Sequence, residues 1–83
     1  MPHFVKRLKT IYGYYNFYFN RIFTATGVRY HVSVRDTKSN RSYMFNMEEK
    51  EDSWTISDIS GCPEWITSLE KEYEKAIHDH LAS

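Results

Sequence analysis

The sequence predicts a small α+β domain in which a four-stranded antiparallel meander packs on a C-terminal amphipathic helix. Between residues 14 and 57, apolar and polar side chains alternate in short runs separated by polar turns, which is typical of half-buried strands. After Pro63, apolar residues recur at spacings of three and four, which is typical of one face of a helix. The chain has 83 residues, so we expect residues 1–83 to form a single domain.

The segment before the alternating region, residues 3–12, fits two structures. Phe4, Leu8 and Ile11 are spaced as on one face of a helix, and Gly13 would end such a helix. The same residues could instead extend the first strand of the meander. We favour a short N-terminal helix and keep the strand as the alternative.

The first strand of the meander lies in the stretch YGYYNFYFNRIF, in which seven of twelve residues are aromatic. Alternation puts Phe17 and Phe19 on one face of the strand and Tyr14 and Tyr18 on the other. Phenylalanine has no polar group to satisfy, whereas a tyrosine hydroxyl tolerates contact with water. We therefore expect the phenylalanines to face the core and the tyrosines to face outward.

The alternation breaks after Asn20, since Arg21 would share the face of the phenylalanines. We predict a bulge at residues 20–22, because one extra residue reverses the two faces of a strand. Residues 25–27 then close a hairpin, in which Gly27 is free to adopt a positive φ. The runs VRYHVSV, YMFNM and SWTIS supply the other three strands.

The C-terminal apolar stripe predicts one helix of about 18 residues. The stripe consists of Ile66, Leu69, Tyr73, Ile77 and Leu81. Pro63 would occupy the first helical position, which puts Cys62 at the N-cap.

The outer face of the predicted sheet mixes tyrosines with cations and amides. Six of its residues form a candidate binding surface: Tyr14, Asn16, Tyr18, Arg29, His31 and Arg35. Aromatic rings beside cations are typical of surfaces that bind single-stranded nucleic acids, because rings stack on bases and cations contact phosphates. Tyrosine and arginine are also enriched in protein interfaces, and a domain this small gains stability by pairing with a second copy.

We therefore expect a non-enzymatic interaction module that forms a homodimer through the outer sheet face or a sheet edge. Single-stranded nucleic-acid binding is the alternative. The ββββα order over about residues 14–81 resembles that of single-stranded DNA-binding modules of the Whirly, PUR-repeat and positive-coactivator kind. This resemblance implies a dimer or a paired repeat that binds DNA.

The net charge of the chain is zero, whereas nucleic-acid binders are usually basic. The charge is nevertheless divided along the chain. Residues 1–45 carry eight Lys or Arg and one acid (8 − 1 = +7), and residues 46–83 carry three Lys and ten acids (3 − 10 = −7). The basic half could contact phosphates or an acidic protein surface.

Motifs for catalysis and metal binding are weak, and we expect no enzymatic activity, no cofactor and no bound metal. The chain has no phosphate-binding glycine motif and no H-E-x-x-H. Glu74 and His78 lie four apart beside His80, but a zinc site needs three or four ligands with the right geometry. One lone cysteine and the lack of a long apolar run predict a cytoplasmic protein that does not enter a membrane.

Overall fold

The structure is a computed structural model that describes residues 3–57 and 61–82, and it is α+β as predicted. One antiparallel sheet has its five strands in sequence order, so it is a meander with one strand more than the sequence predicted. The elements are β1 (His3–Thr10), β2 (Gly13–Thr24), β3 (Gly27–Asp36), β4 (Arg41–Lys50), β5 (Ser53–Ile56), α1 (Glu64–Thr67) and α2 (Glu70–Ala82). Among the described residues, neither helix is long and apolar enough to cross a bilayer.

The additional strand is β1, so the prediction of an N-terminal helix is wrong. β1 pairs with β2 along its whole length, which satisfies the backbone groups on one side of the strand. Phe4 stacks on Phe19 with ring centroids 4.5 Å apart, and Leu8 is buried. Phe4 and Leu8 are four residues apart, a spacing that fits both a helix and one face of a strand. The aromatic surface of β2 decides between them, because it gives these side chains a place to bury.

The first two hairpins share one turn sequence, Thr-x-x-Gly. Thr10 Oγ1 donates a hydrogen bond of 2.7 Å to the carbonyl of Gly13, and Thr24 Oγ1 donates one of 2.8 Å to the carbonyl of Gly27. In each turn the same hydroxyl also accepts the backbone N–H two residues further on. The two glycines have φ values of 111° and 138°, a region that other residues rarely adopt. The predicted hairpin at residues 25–27 is confirmed.

The bulge predicted at residues 20–22 is absent from β2, which pairs with β3 without interruption from Phe17 to Thr24. Arg21 therefore does lie on the inner face, directly opposite Tyr30. Its Nε donates to the Tyr30 hydroxyl at 3.3 Å, and its guanidinium lies 5.8 Å from the centre of that ring. Arg21 is only half-buried. The long side chain covers the ring while its charge stays near water, so no bulge is needed to remove it from the core.

The core lies between the inner face of the sheet and α2. Phe17 and Phe19 are fully buried, whereas Tyr14 and Tyr18 are 59% and 47% exposed, so the predicted sorting of the rings is confirmed. Tyr73 of α2 packs over Phe17 with ring centroids 5.2 Å apart. Tight ring packing of this kind fixes which face of the sheet remains outside.

The C-terminal helix is divided into α1 and α2, and α1 is capped by Pro63 rather than Cys62. The carbonyl of Ile66 would accept the N–H of Glu70 in a continuous helix. It accepts the N–H of Leu69 at 3.2 Å and the hydroxyl of Tyr73 at 2.7 Å instead. The prediction of one helix of about 18 residues is therefore wrong, because a side chain and a tighter turn replace one helical hydrogen bond.

Candidate nucleic-acid interface

The outer face of the sheet is the face turned away from α1 and α2. Residues paired directly across two strands share a face, so the register identifies its members. Lys9 is paired with Tyr14, and Arg7 is paired with Asn16. The register of β1 thus puts two cations beside the outward residues of β2.

Four of the six predicted surface residues line one shallow groove of about 300 Å³. These four are Tyr14, Asn16, Tyr18 and Arg35, and Tyr15 and Thr37 complete the lining. The groove runs over β2 and the end of β3, so tyrosine rings and a guanidinium line it together. We call this feature the tyrosine groove.

Two arginine contacts position side chains at the rim of the tyrosine groove. The guanidinium carbon of Arg7 lies 4.7 Å from the centre of the Tyr14 ring, a distance suited to a cation–π contact. A hydrogen bond from Arg35 to the side-chain oxygen of Asn40 orients the Arg35 guanidinium. Tyr14 remains 59% exposed despite its contact with Arg7, so the ring is available to a ligand.

The other two predicted residues, Arg29 and His31, lie on the same face but do not line the tyrosine groove. Arg29 pairs with Glu48 at 3.9 Å, and the two side chains are directly opposite on β3 and β4. Nδ1 of His31 and Oδ1 of Asn46 are 3.0 Å apart and share a hydrogen bond. Both residues are therefore engaged with β4 and are less suited to a ligand than the groove residues.

Arg7 and Lys9 are the surface residues that sequence reasoning missed. Reading residues 3–12 as a helix hid the alternation of Val5, Arg7 and Lys9, which is the signal that could have found them. Val5 is paired with Tyr18 and is 50% exposed, so all three residues contribute to the outer face.

Positive and negative charges are separated along the chain, and they are also separated between two faces of the molecule. Outer-face positions of the five strands carry five cations and one acid (5 − 1 = +4). These are Arg7, Lys9, Arg29, Arg35, Lys50 and Glu48. The helices α1 and α2 carry two Lys and five acids (2 − 5 = −3). The outer face therefore attracts anions even though the net charge of the whole chain is zero.

No three metal-binding side chains lie together in residues 3–57 and 61–82. Glu74 Oε2 is 3.9 Å from His78 Nε2, but the same oxygen accepts the backbone N–H of Trp54 at 2.9 Å. The ring of His80 stacks on Phe4, with centroids 4.2 Å apart. Each member of the trio considered from the sequence thus has a structural contact of its own.

A tyrosine outside the tyrosine groove has a perturbed pKa. Burial, and to a lesser degree the nearby Cys62, raises the pKa of Tyr73 well above its ordinary value. Its hydroxyl donates to the carbonyl of Ile66, so the neutral form is the one that the fold uses.

Comparison with protein-family models, with curated protein sequences and with solved structures gave no match for this chain.

Proposed function

We propose that this protein is a non-enzymatic binding module that holds single-stranded nucleic acid on the outer face of its sheet. The observation that carries the proposal is the tyrosine groove, where two exposed rings and Arg35 meet beside the β1 cations. An open sheet that presents rings and cations is a common surface for unpaired bases.

In this proposal, the exposed rings of Tyr14 and Tyr18 stack on bases, whereas the cations contact phosphates. Tyr14 and Tyr18 lie about 13 Å apart along β2, since a strand advances about 3.3 Å per residue. Each ring can therefore stack on a different base without contact between the two bases. Arg7, Lys9 and Arg35 surround these rings and supply charge for the intervening phosphates.

The rings favour single strands over duplexes. Stacking on a tyrosine requires a base whose face is free, and bases within a duplex have both faces covered. The proposal therefore predicts that a duplex of the same length binds more weakly than the single strand.

The test is fluorescence anisotropy with a labelled oligothymidylate of about 12 nucleotides, which spans a site of ordinary size for such surfaces. The double variant Tyr14→Ala, Tyr18→Ala should weaken binding at least about tenfold, since stacking contributes about 1–3 kcal/mol per base. Tyr12→Ala is the matched control, because Tyr12 is 54% exposed but lies outside the tyrosine groove. Equal affinities for the double variant and the wild type, or no binding at about 50 mM salt, would remove the proposal.

The cations are tested by the salt dependence of the affinity. Replacing Arg7 and Lys9 by glutamine should lower the slope of log affinity against log salt by about one for each phosphate that is no longer neutralised. An unchanged slope would mean that the side chains of β1 do not bind phosphates.

Self-association through the same face is the second candidate function. The observation that favours it is exposed apolar surface, because Val5 and Met44 are 50% and 60% exposed and lie in one cross-strand row with Tyr18. Two such faces in contact would bring +4 against +4, so we place self-association after nucleic-acid binding.

Sedimentation at about 150 mM salt separates the two candidates, since repulsion between charges more than about 8 Å apart is largely screened there. A reductant is included so that Cys62 cannot cross-link two copies. Self-association through this face predicts a dimer that Met44→Lys abolishes. A monomer at all concentrations would remove this candidate and leave the nucleic-acid proposal unaffected.

A further inference from the structure

The two edges of the sheet differ in whether the outward backbone groups of the edge strand have hydrogen-bond partners. At the β5 edge, the N–H of Trp54 donates to Glu74 Oε2 at 2.9 Å and the N–H of Ile56 donates to Glu70 Oε2 at 2.8 Å. Two carboxylates of α2 thus occupy the donors with which another strand would pair. Covering an edge in this way prevents pairing with other chains.

The β1 edge has no such cover among the described residues. Thr10 and Gly13 flank a two-residue turn, so they exchange backbone hydrogen bonds, and every second residue of β1 does the same with β2. The alternate residues Val5, Arg7 and Lys9 therefore direct their backbone N–H and C=O groups away from the sheet. The same reasoning at the β4–β5 turn correctly identifies Trp54 and Ile56 as the outward donors of β5.

The side chains of β1 determine what can pair with this edge. Lys6, Arg7 and Lys9 are exposed on a strand that carries no acid. A second copy of the protein could pair its own β1 antiparallel to this edge, with the helices of both copies on the same side of the extended sheet. In that arrangement, cations of the two β1 strands would lie opposite each other. The two registers that pair most of the strand put Lys6 opposite Lys6, or Arg7 opposite Arg7, and like charges directly opposite destabilise a strand pair.

We propose that the β1 edge is a docking site for an extended acidic segment of another protein, which adds to the sheet as an antiparallel sixth strand. Acidic residues opposite Arg7 and Lys9 would lie on the outer face, next to both cations. The backbone of those acidic residues would exchange hydrogen bonds with the backbone of Arg7 and Lys9. Main-chain hydrogen bonds supply affinity in this mode of recognition, and the alternate side chains supply specificity. The same cations that prevent self-pairing thus select the partner.

This proposal does not rest on nucleic-acid binding. It uses the backbone of β1, whereas the proposed function uses the rings of β2. The two ligands share Arg7 and Lys9, so an oligonucleotide and an acidic peptide should compete.

The first test uses a labelled peptide of about eight residues in which Glu alternates with Val, long enough to cover an ordinary strand. Anisotropy should show binding to the wild-type protein, and replacing every Glu of the peptide by Lys should abolish it. N-methylation of the Glu amides should also abolish binding, because these are the amides that face β1 in the antiparallel pairing. N-methylation of the Val amides should leave binding intact. Equal binding by the two N-methylated peptides would overturn the proposal, since the contact would then be only electrostatic.

The second test changes the protein. Val5→Pro removes an outward N–H of β1 but none of the hydrogen bonds to β2, and proline is tolerated at such edge positions. The variant should bind the acidic peptide at least about tenfold more weakly than the wild type does. Val5→Thr, which keeps the N–H, is the control. A thermal melt verifies that Val5→Pro is folded, and the N-methylated peptides decide the matter on the wild-type chain if it is not.

Discussion

The hydroxyl of Tyr15 donates a hydrogen bond to Oδ1 of Asp36 at 3.2 Å, and so joins β2 to the end of β3 beside the tyrosine groove. Asp36 also accepts the backbone N–H of Lys38 at 3.0 Å and the hydroxyl of Ser39 at 2.9 Å. The hydrogen bond from Ser39, followed by those from Lys38 and Tyr15, lowers the pKa of Asp36. Desolvation, followed by the contact with Asp36, raises the pKa of Tyr15. One carboxylate therefore orders both the β3–β4 turn and one wall of the groove.

Acid should weaken the fold through Asp36. Because the folded-state pKa lies below the ordinary value of 3.8, the ionised carboxylate stabilises the fold above that pH. This stabilisation is lost as the pH falls through the lowered pKa. The carboxyl carbon of Asp36, followed by NMR, should titrate with a midpoint below 3.8. In Tyr15→Phe the midpoint should move upward, and an unchanged midpoint would show that the Tyr15 hydroxyl does not hold the carboxylate.

Removing the cover of the β5 edge should destabilise the protein. Glu74→Ala leaves the N–H of Trp54 without its acceptor in a partly buried site, which should lower the free energy of unfolding by about 1–3 kcal/mol. Urea denaturation measures the change. Glu72→Ala is the control, since Glu72 lies exposed on the same helix and its loss changes the net charge equally. If both variants lose the same stability, the effect comes from charge and not from the edge.

The two Thr-x-x-Gly turns should respond unequally to the same substitution. Thr10 is only 8% exposed, whereas Thr24 is exposed. Thr10→Val should cost about 1–2 kcal/mol of unfolding free energy, because the hydrogen bonds of its hydroxyl are shielded from water. Thr24→Val should cost less than about 0.5 kcal/mol, since water replaces the hydroxyl there. Thermal melts of the two variants compare them directly, and a larger loss at Thr24 would contradict this account.

The junction of α1 and α2 should depend on the hydroxyl of Tyr73. Tyr73→Phe keeps the ring against Phe17 but removes the 2.7 Å hydrogen bond to the carbonyl of Ile66. The loss should be about 1 kcal/mol, because Leu69 still donates to that carbonyl. Tyr12→Phe, at an exposed position, should change the unfolding free energy by less than about 0.5 kcal/mol. A neutral result at Tyr73 would show that the two-segment helix does not need this bond.

Much of the fold could be predicted because the residues themselves differ in what they can bury. Phe17 and Phe19 have no polar atom, so their side of β2 faces the core wherever the strand lies. The bulge predicted at residues 20–22 was wrong for a related reason. We predicted it because we expected that a cation such as Arg21 could not lie on the inner face. The structure places it at the margin of the core, where its chain can pack on Tyr30 and its charge can reach water. Alternation shows on which face of a strand a side chain lies, but it does not show how far that side chain is from the margin of the core.

The candidate site was predictable in part for a related reason. The tyrosines of β2 were evident from composition and alternation, but the cations of β1 were not. Phe4 and Leu8 fit a helix as well as a strand, and only the neighbouring surface of β2 separates the two.

By itself, the sequence determined the directions of the four rings at Tyr14, Phe17, Tyr18 and Phe19, the hairpin that closes at Gly27, and the separation of positive from negative charge. Each of these depends on residues within a few positions of one another. Tertiary structure alone decided that β1 is a strand, that α2 covers the β5 edge, and that the cations of β1 lie beside the tyrosine groove. Those outcomes depend on contacts between distant segments, and a segment with two acceptable local structures adopts the one that its neighbours bury.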